Sequence, residues 1–171
     1  MTEAAIRRHI AAHCPGTDIQ RPAAGDPDTP AIAVGDTFFI YDPDHDPALG
    51  PTGPHRFPFA TIVTKDYGDF DNASNLDRPG VFRLNIGLPR RRFLELFGPA
   101  MPEAGPDGVV RTGHDFTALD TLMPHPVYAA HGWVCVLNPS AATFRTLEPL
   151  VAEAYADAVR RYDALRRGAS A

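Results

Sequence analysis

From Leu147 onward the apolar residues Leu150, Val151, Ala154, Tyr155, Ala158, Tyr162 and Leu165 recur at intervals of three and four. Such a stripe is one face of an amphipathic helix, and it is stable only against a second apolar layer. Glu148, Glu153, Asp157, Arg160, Arg161, Arg166 and Arg167 fall mostly on the wet side. Acid comes early and base late, which suits the helix dipole. Pro149 fits a first turn, so Thr146 is the expected cap.

The opposing layer is written upstream. Asp36–Tyr41, Phe59–Thr64 and Val81–Gly87 read as strands from their β-branched and aromatic content, and His131–Leu137 as a further strand buried on both faces. In the third strand Val81, Arg83 and Asn85 alternate with Phe82, Leu84 and Ile86, so one face is polar and the other apolar. Thr2–His13 reads as a capped helix and Pro89–Phe97 as a short one; Leu119–Met123 is a candidate strand. Residues 15–34 are expected to be irregular and 42–57 a turn-rich loop. Strands in consecutive order predict an α+β fold: a small antiparallel sheet packed by an N-terminal helix and a long C-terminal helix. With 171 residues the chain is read as a single domain, 1–171.

Polar chemistry is concentrated between the second and third strands. Lys65, Asp66, Asp69, Asp71, Asn75, Asp77 and Arg78 sit on one connection. Four carboxylates so close repel one another unless something neutralises them. Three arrangements meet that need: Asn and Asp side chains tying down their own turn with help from Lys65, Arg78 and Arg83; a binding surface; or a hard divalent cation. The spacing matches no EF-hand, and we expect no metal and no cofactor. Asp42, Asp44 and Asp46 have the rhythm of a Ca²⁺ loop start, but Pro47 and Gly53 replace its Gly and Glu, so they read as an exposed acidic loop. His125 lies between Pro124 and Pro126, shortly before Tyr128 and Trp133. A backbone stiffened in that way fixes an imidazole either as a turn residue or as an acid or base. Arg83 and Asn85, with Tyr128, Trp133 and the acidic run, then form a candidate ligand-contact face.

Composition removes several classes. A net charge of −5 argues against nucleic acid, whose binding rests on neutralising phosphates. No stretch has the length of a membrane span. Cys14 and Cys135 form no metal or CxxC pattern and read as free buried thiols, and the charged N-terminal segment resembles no signal peptide, so we expect a cytoplasmic protein. GxGxxG, Walker, GxSxG and HExxH patterns are absent from the sequence.

The segments VTKDYGDFDNASNLDRPGVFRLNIG, DFTALDTLMPHPVYAAHGWVCVLNP and EAYADAVRR resemble an uncharacterised family of actinobacterial proteins carrying a domain-of-unknown-function label. A fainter pattern is similar to the MmcQ/YjbR group: a strand-then-helix step, a His-containing turn, a Trp-led strand and a long C-terminal helix. That resemblance implies a YjbR-like fold sometimes likened to a DNA-binding shape, and no catalytic residues. The chain departs from it in the Pro-rich loop at 42–58 and the acidic run at 65–78. The resulting expectation is a non-enzymatic module that binds a small molecule or a protein on the polar sheet face. Its rivals are an enzyme using His125 with an Asp such as Asp66 or Asp69 as an acid–base pair, and a DNA-binding role resting on fold analogy. Substrate, partner and oligomeric state are not encoded in any motif.

Overall fold

The computed structural model describes residues 1–25, 31–45 and 56–169. Helix α1 (Glu3–His13) is capped by Thr2, whose hydroxyl accepts the Ala5 N–H, and buries Ile6 and Ile10. Strands β1 (Thr17–Gln20), β2 (Thr37–Tyr41), β3 (Ala60–Val63) and β4 (Arg83–Gly87) follow. Then come α2 (Arg90–Phe97), β5 (Met123–Pro124), β6 (Trp133–Leu137) and α3 (Ala141–Ala169). The six strands form one sheet in the order β1-β2-β3-β4-β6-β5, every neighbouring pair antiparallel. This is the expected α+β architecture. Among the described residues, no helix is long and apolar enough to cross a membrane.

Strand alternation divides the sheet into two unlike faces. Phe39, Ala60, Ile62, Leu84, Ile86, Val134 and Val136 join one core with Ile6 and Ile10 of α1 and Leu147, Leu150, Val151 and Ala154 of α3. Each large side chain buried there stabilises the fold by about 1.5–3 kcal/mol. The opposite face carries Thr61, Val63, Arg83, Asn85, Trp133, Cys135 and Leu137, and is covered by loops instead of helices. A second small cluster of Val63, Leu76 and Leu137, with Tyr67 and Val81, fastens the 64–81 connection to that face.

Three local expectations are corrected. Helix α3 begins at Ala141, not near Leu147. Its cap is Ser140, whose Oγ accepts the Thr143 N–H at 3.1 Å, whereas Thr146 lies within the helix. Pro149 is therefore internal; it and Arg145 four residues earlier are both exposed, so the carbonyl that loses its donor is hydrated. Second, Thr17–Gln20 is an edge strand inside the stretch read as irregular. Third, the expected strand at 119–123 is reduced to β5 and a single bridge between Leu119 and Leu137.

The turn into β6 depends on a glycine. Gly132 has φ +85, and a Cβ there would lie 2.6 Å from the Leu88 carbonyl oxygen. Gly132→Ala is expected to destabilise the protein by about 1–3 kcal/mol. A thermal melt that leaves Tm unchanged would show that the turn does not need a glycine at this position.

Candidate functional site

The alternation of β4 places Arg83 and Asn85 on the loop-covered face, where an unpaired guanidinium could not be buried. The 64–81 connection supplies its partners. Asp66 accepts the Leu76 N–H at 2.8 Å and Asp77 accepts the Asp66 N–H at 3.1 Å, while the Tyr67 N–H donates to the Asp71 carbonyl at 2.9 Å. These bonds fold the connection back so that Asp71 and Ser74 reach the strand. Arg83, 1 % exposed, donates Nη1–H to Asp71 Oδ1 at 3.0 Å and Nη2–H to Asp71 Oδ2 at 2.5 Å. Its Nη1 also donates to Ser74 Oγ at 2.8 Å and its Nε to Asn85 Oδ1 at 2.9 Å. Asn85 Nδ2 in turn donates to Thr61 Oγ1 at 2.9 Å. Burial works against the guanidinium charge, and the paired Asp71 carboxylate outweighs it, so the Arg83 pKa is raised.

His125 arrives from the other side. Its backbone N–H donates to the Trp133 carbonyl at 2.9 Å, tying the proline-flanked turn to β6. Nδ1 accepts the backbone N–H groups of Val127 at 3.1 Å and Tyr128 at 3.0 Å. A nitrogen that accepts two hydrogen bonds carries no proton, so the neutral ring is held as its Nε2–H tautomer. Burial, and then the positive charge of Arg83, hold the His125 pKa well below its ordinary value. Nε2 stands 3.8 Å from Asp71 Oδ2, beyond hydrogen-bond reach, and makes no hydrogen bond among the described residues.

These groups floor a cavity of ≈ 290 Å³. Thr61, Arg83, Asn85, Asp71 and His125 lie at its polar base, and Phe38, Phe57, Pro58, Tyr67, Tyr128 and Trp133 are its walls. The Trp133 indole lies across Gly87, where a Cβ would come within 3.0 Å of the ring; a bare Cα lets the indole close that wall. Tyr67 is fixed by donating its hydroxyl to the buried Asp36 carboxylate. At the rim, exposed Phe57 meets Trp133 edge to face with centroids 6.1 Å apart, and exposed Phe70 meets Tyr128 in the same manner at 6.0 Å. Cys135 is buried nearby with its thiol pushed up to about 12 by burial, which makes it a protonated wall atom and not a nucleophile.

Asp71, Arg83, Asn85, His125 and Tyr128 are thus brought together, although they come from three separate segments. Lys65, Asp66, Asp69, Asn75 and Arg78 do not line this cavity. Lys65 donates to the Val34 carbonyl and lies 4.0 Å from Asp36. Arg78 donates to the carbonyls of Asn75, Ser74 and Thr117, tying two loops together. Asn75 takes a left-handed turn at φ 49, and Asp69 is exposed. Trp133 lines the cavity with Asp71, Arg83, Asn85, His125 and Tyr128, and so do Phe38, Thr61 and Tyr67, which the spacing of their own segments does not mark. Strand register held the signal: Thr61 pairs with Asn85 and Phe38, and Trp133 with Gly87.

The acidic loop start is also revised. Asp42 is 3 % exposed, not a surface residue, and its carboxylate is held by Arg56, which also reaches Asp18 at 3.1 Å. Asp18, Asp42 and His45 are close enough to surround a metal, but Arg56 already pairs with both carboxylates and offsets one of their two charges. Asp46, Pro47 and Gly53 lie outside the described residues.

The model of DUF6194, described as a family of unknown function, matches residues 1–168. No curated protein and no solved structure matches the chain.

Proposed function

The chain belongs to the DUF6194 family of unknown function, and from its site alone we propose that it is a non-enzymatic module taking a small organic molecule into the cavity over β4 and β6. The observation that carries this reading is a fully buried polar floor, with an unused His125 Nε2–H, beneath aromatic walls. Concave apolar walls around a few fixed polar groups are the usual makeup of a small-molecule site, and ≈ 290 Å³ suits a compact ligand.

The acid–base alternative loses its base. Asp66 and Asp69 do not line the cavity, Asp71 is engaged as the counter-charge of Arg83, and His125 would need a free Nε2 lone pair that its tautomer lacks. Nucleic acid is disfavoured by the acidic balance of the chain and by the pairing of Arg91 and Arg92 with Glu95, and of Arg92 with Glu153. Two free buried thiols, Cys14 and Cys135, support a reducing, cytoplasmic setting. The order of helix, sheet, His-bearing turn, Trp-led strand and long helix supports reading the chain beside the MmcQ/YjbR group.

Trp133 is the one tryptophan in the chain, so its fluorescence reports on the cavity directly. In a screen of planar fragments, ligands are expected to change that emission and to raise Tm. The stabilisation should be about 2.7 kcal/mol at about one hundred times Kd. Val63, which lines the cavity and holds no polar partner, offers the control: Val63→Phe fills the space and should abolish both signals. Fragments that bind Val63→Phe as well as the native protein would place the site elsewhere.

A further inference from the structure

Resting on the small-molecule reading above, we propose that the cavity recognises the cis-amide edge of a planar heterocycle, a lactam or cyclic urea. Its C=O would accept from His125 Nε2–H and its adjacent N–H would donate to Asp71 Oδ2.

The charge on the floor favours an uncharged guest. Arg83 and Asp71 close on each other in a bidentate pair, leaving no net charge. An anion would meet the Asp71 carboxylate, and a cation the Arg83 guanidinium, in a site too dry to screen either.

The hydrogen-bonding groups that remain are a donor and an acceptor side by side. His125 Nε2–H makes no hydrogen bond among the described residues and stands 3.8 Å from Asp71 Oδ2. Asp71 Oδ2 accepts from Arg83 Nη2 and keeps a second lone pair. The two atoms are 3.8 Å apart, too far for a mutual bond and too close for an atom between them. In a cis amide the oxygen and nitrogen are about 2.2 Å apart, from C=O and C–N bond lengths. Two hydrogen bonds of about 2.9 Å then splay outward by about 0.8 Å each, a tilt of about 16°, well inside the tolerated range. A carboxylate offers two acceptors and an amidine two donors, so each would match only half of the floor.

The walls complete the fit. Phe38, Tyr67, Tyr128 and Trp133 present aromatic surface above those two atoms, as a flat ring system requires. Asn85 Nδ2 uses one hydrogen on Thr61 and retains the other for a second ring substituent.

The test is a fluorescence and calorimetric titration of the intact protein with 2-quinolone, 1-methyl-2-quinolone, indole and 2-naphthoate. We expect 2-quinolone to bind about tenfold or more tightly than its N-methyl analogue, because methylation leaves Asp71 Oδ2 without its donor. His125→Asn can keep an acceptor for the Val127 and Tyr128 N–H groups while removing the Nε2–H; it should reduce 2-quinolone affinity about tenfold and leave indole unaffected. If this variant does not fold, the methylation comparison on the native protein decides alone. Equal binding of 2-quinolone, its methyl analogue and indole would overturn the amide-edge proposal and leave the small-molecule reading standing. Tightest binding by 2-naphthoate would overturn it in favour of an anion site. Binding of no probe, with Trp133 emission unchanged throughout, would overturn both.

Discussion

Replacing Arg83 with alanine is expected to destabilise the protein by about 3–5 kcal/mol, the largest effect of any single polar substitution in this fold. The guanidinium is 1 % exposed and every partner it has is buried with it. Its removal leaves Asp71 as an unpaired carboxylate under the 64–81 connection, and strands Ser74 Oγ and Asn85 Oδ1 without donors. Each loss has the sign of an unsatisfied buried group, and together they act on the bonds that hold that connection to β4. A lost contact and an uncompensated charge can be separated. Removing both charges, as Arg83→Met with Asp71→Leu, should recover most of the stability, because an apolar pair needs no hydration. Urea unfolding reads both quantities, with a midpoint shift at constant slope. A single-variant loss below about 1 kcal/mol is the figure for an exposed pair, and would mean that Arg83 reaches solvent.

The second large effect is a pH dependence that belongs to His125. Its native pKa lies well below the ordinary value of 6.5, first through burial and then through Arg83. In the unfolded chain the ring takes up a proton near that ordinary value, while in the native state it does not. The unfolded state therefore binds more protons as the pH falls, and stability declines on acidification. The contribution is complete above about pH 6.5 and is lost below it, with a slope of up to about 1.36 kcal/mol per pH unit. The decline continues until the native ring itself protonates. The charged groups facing the ring are Asp71 and Arg83, with the Tyr128 ring tilted against it at 5.0 Å. His125→Asn isolates the effect, since every carboxylate remains: stability of that variant should be flat between pH 7 and pH 5.5 where the native protein already declines. Parallel curves would assign the decline to other groups.

The gross architecture was readable because burial follows period. The stripe on α3 and the alternation in β4 state which side chains meet, and the structure has both. What periodicity could not give was the role of each aspartate. Asp66 and Asp77 hold their own turn while Asp71, on the same short connection, holds Arg83. Those roles differ only through the fold of the 64–81 connection over the sheet, which spacing does not encode. The extent of α3 was hidden by Pro149, which reads as a first-turn residue yet sits within the helix on its exposed face. Edge strand β1 has four residues, all half-buried, so it lacks the apolar alternation that marks a strand. The aromatic walls were masked for a different reason. Phe38 and Trp133 look like core residues, and only their register beside Thr61 and Gly87 puts them on the face opposite the helices.

The claim on which the rest depends is that His125 is a locked neutral donor pointing into a ligand cavity. Nitrogen-15 NMR of the histidine side chains measures this without any substitution. One imidazole should show Nδ1 unprotonated and a proton retained on Nε2 from pH 8 to pH 5.5, its Nε2–H resonance shifting when 2-quinolone is added. If every imidazole instead titrates near its ordinary pKa of about 6.5, or if the His125 proton resides on Nδ1, the donor does not exist and the proposed site fails with it.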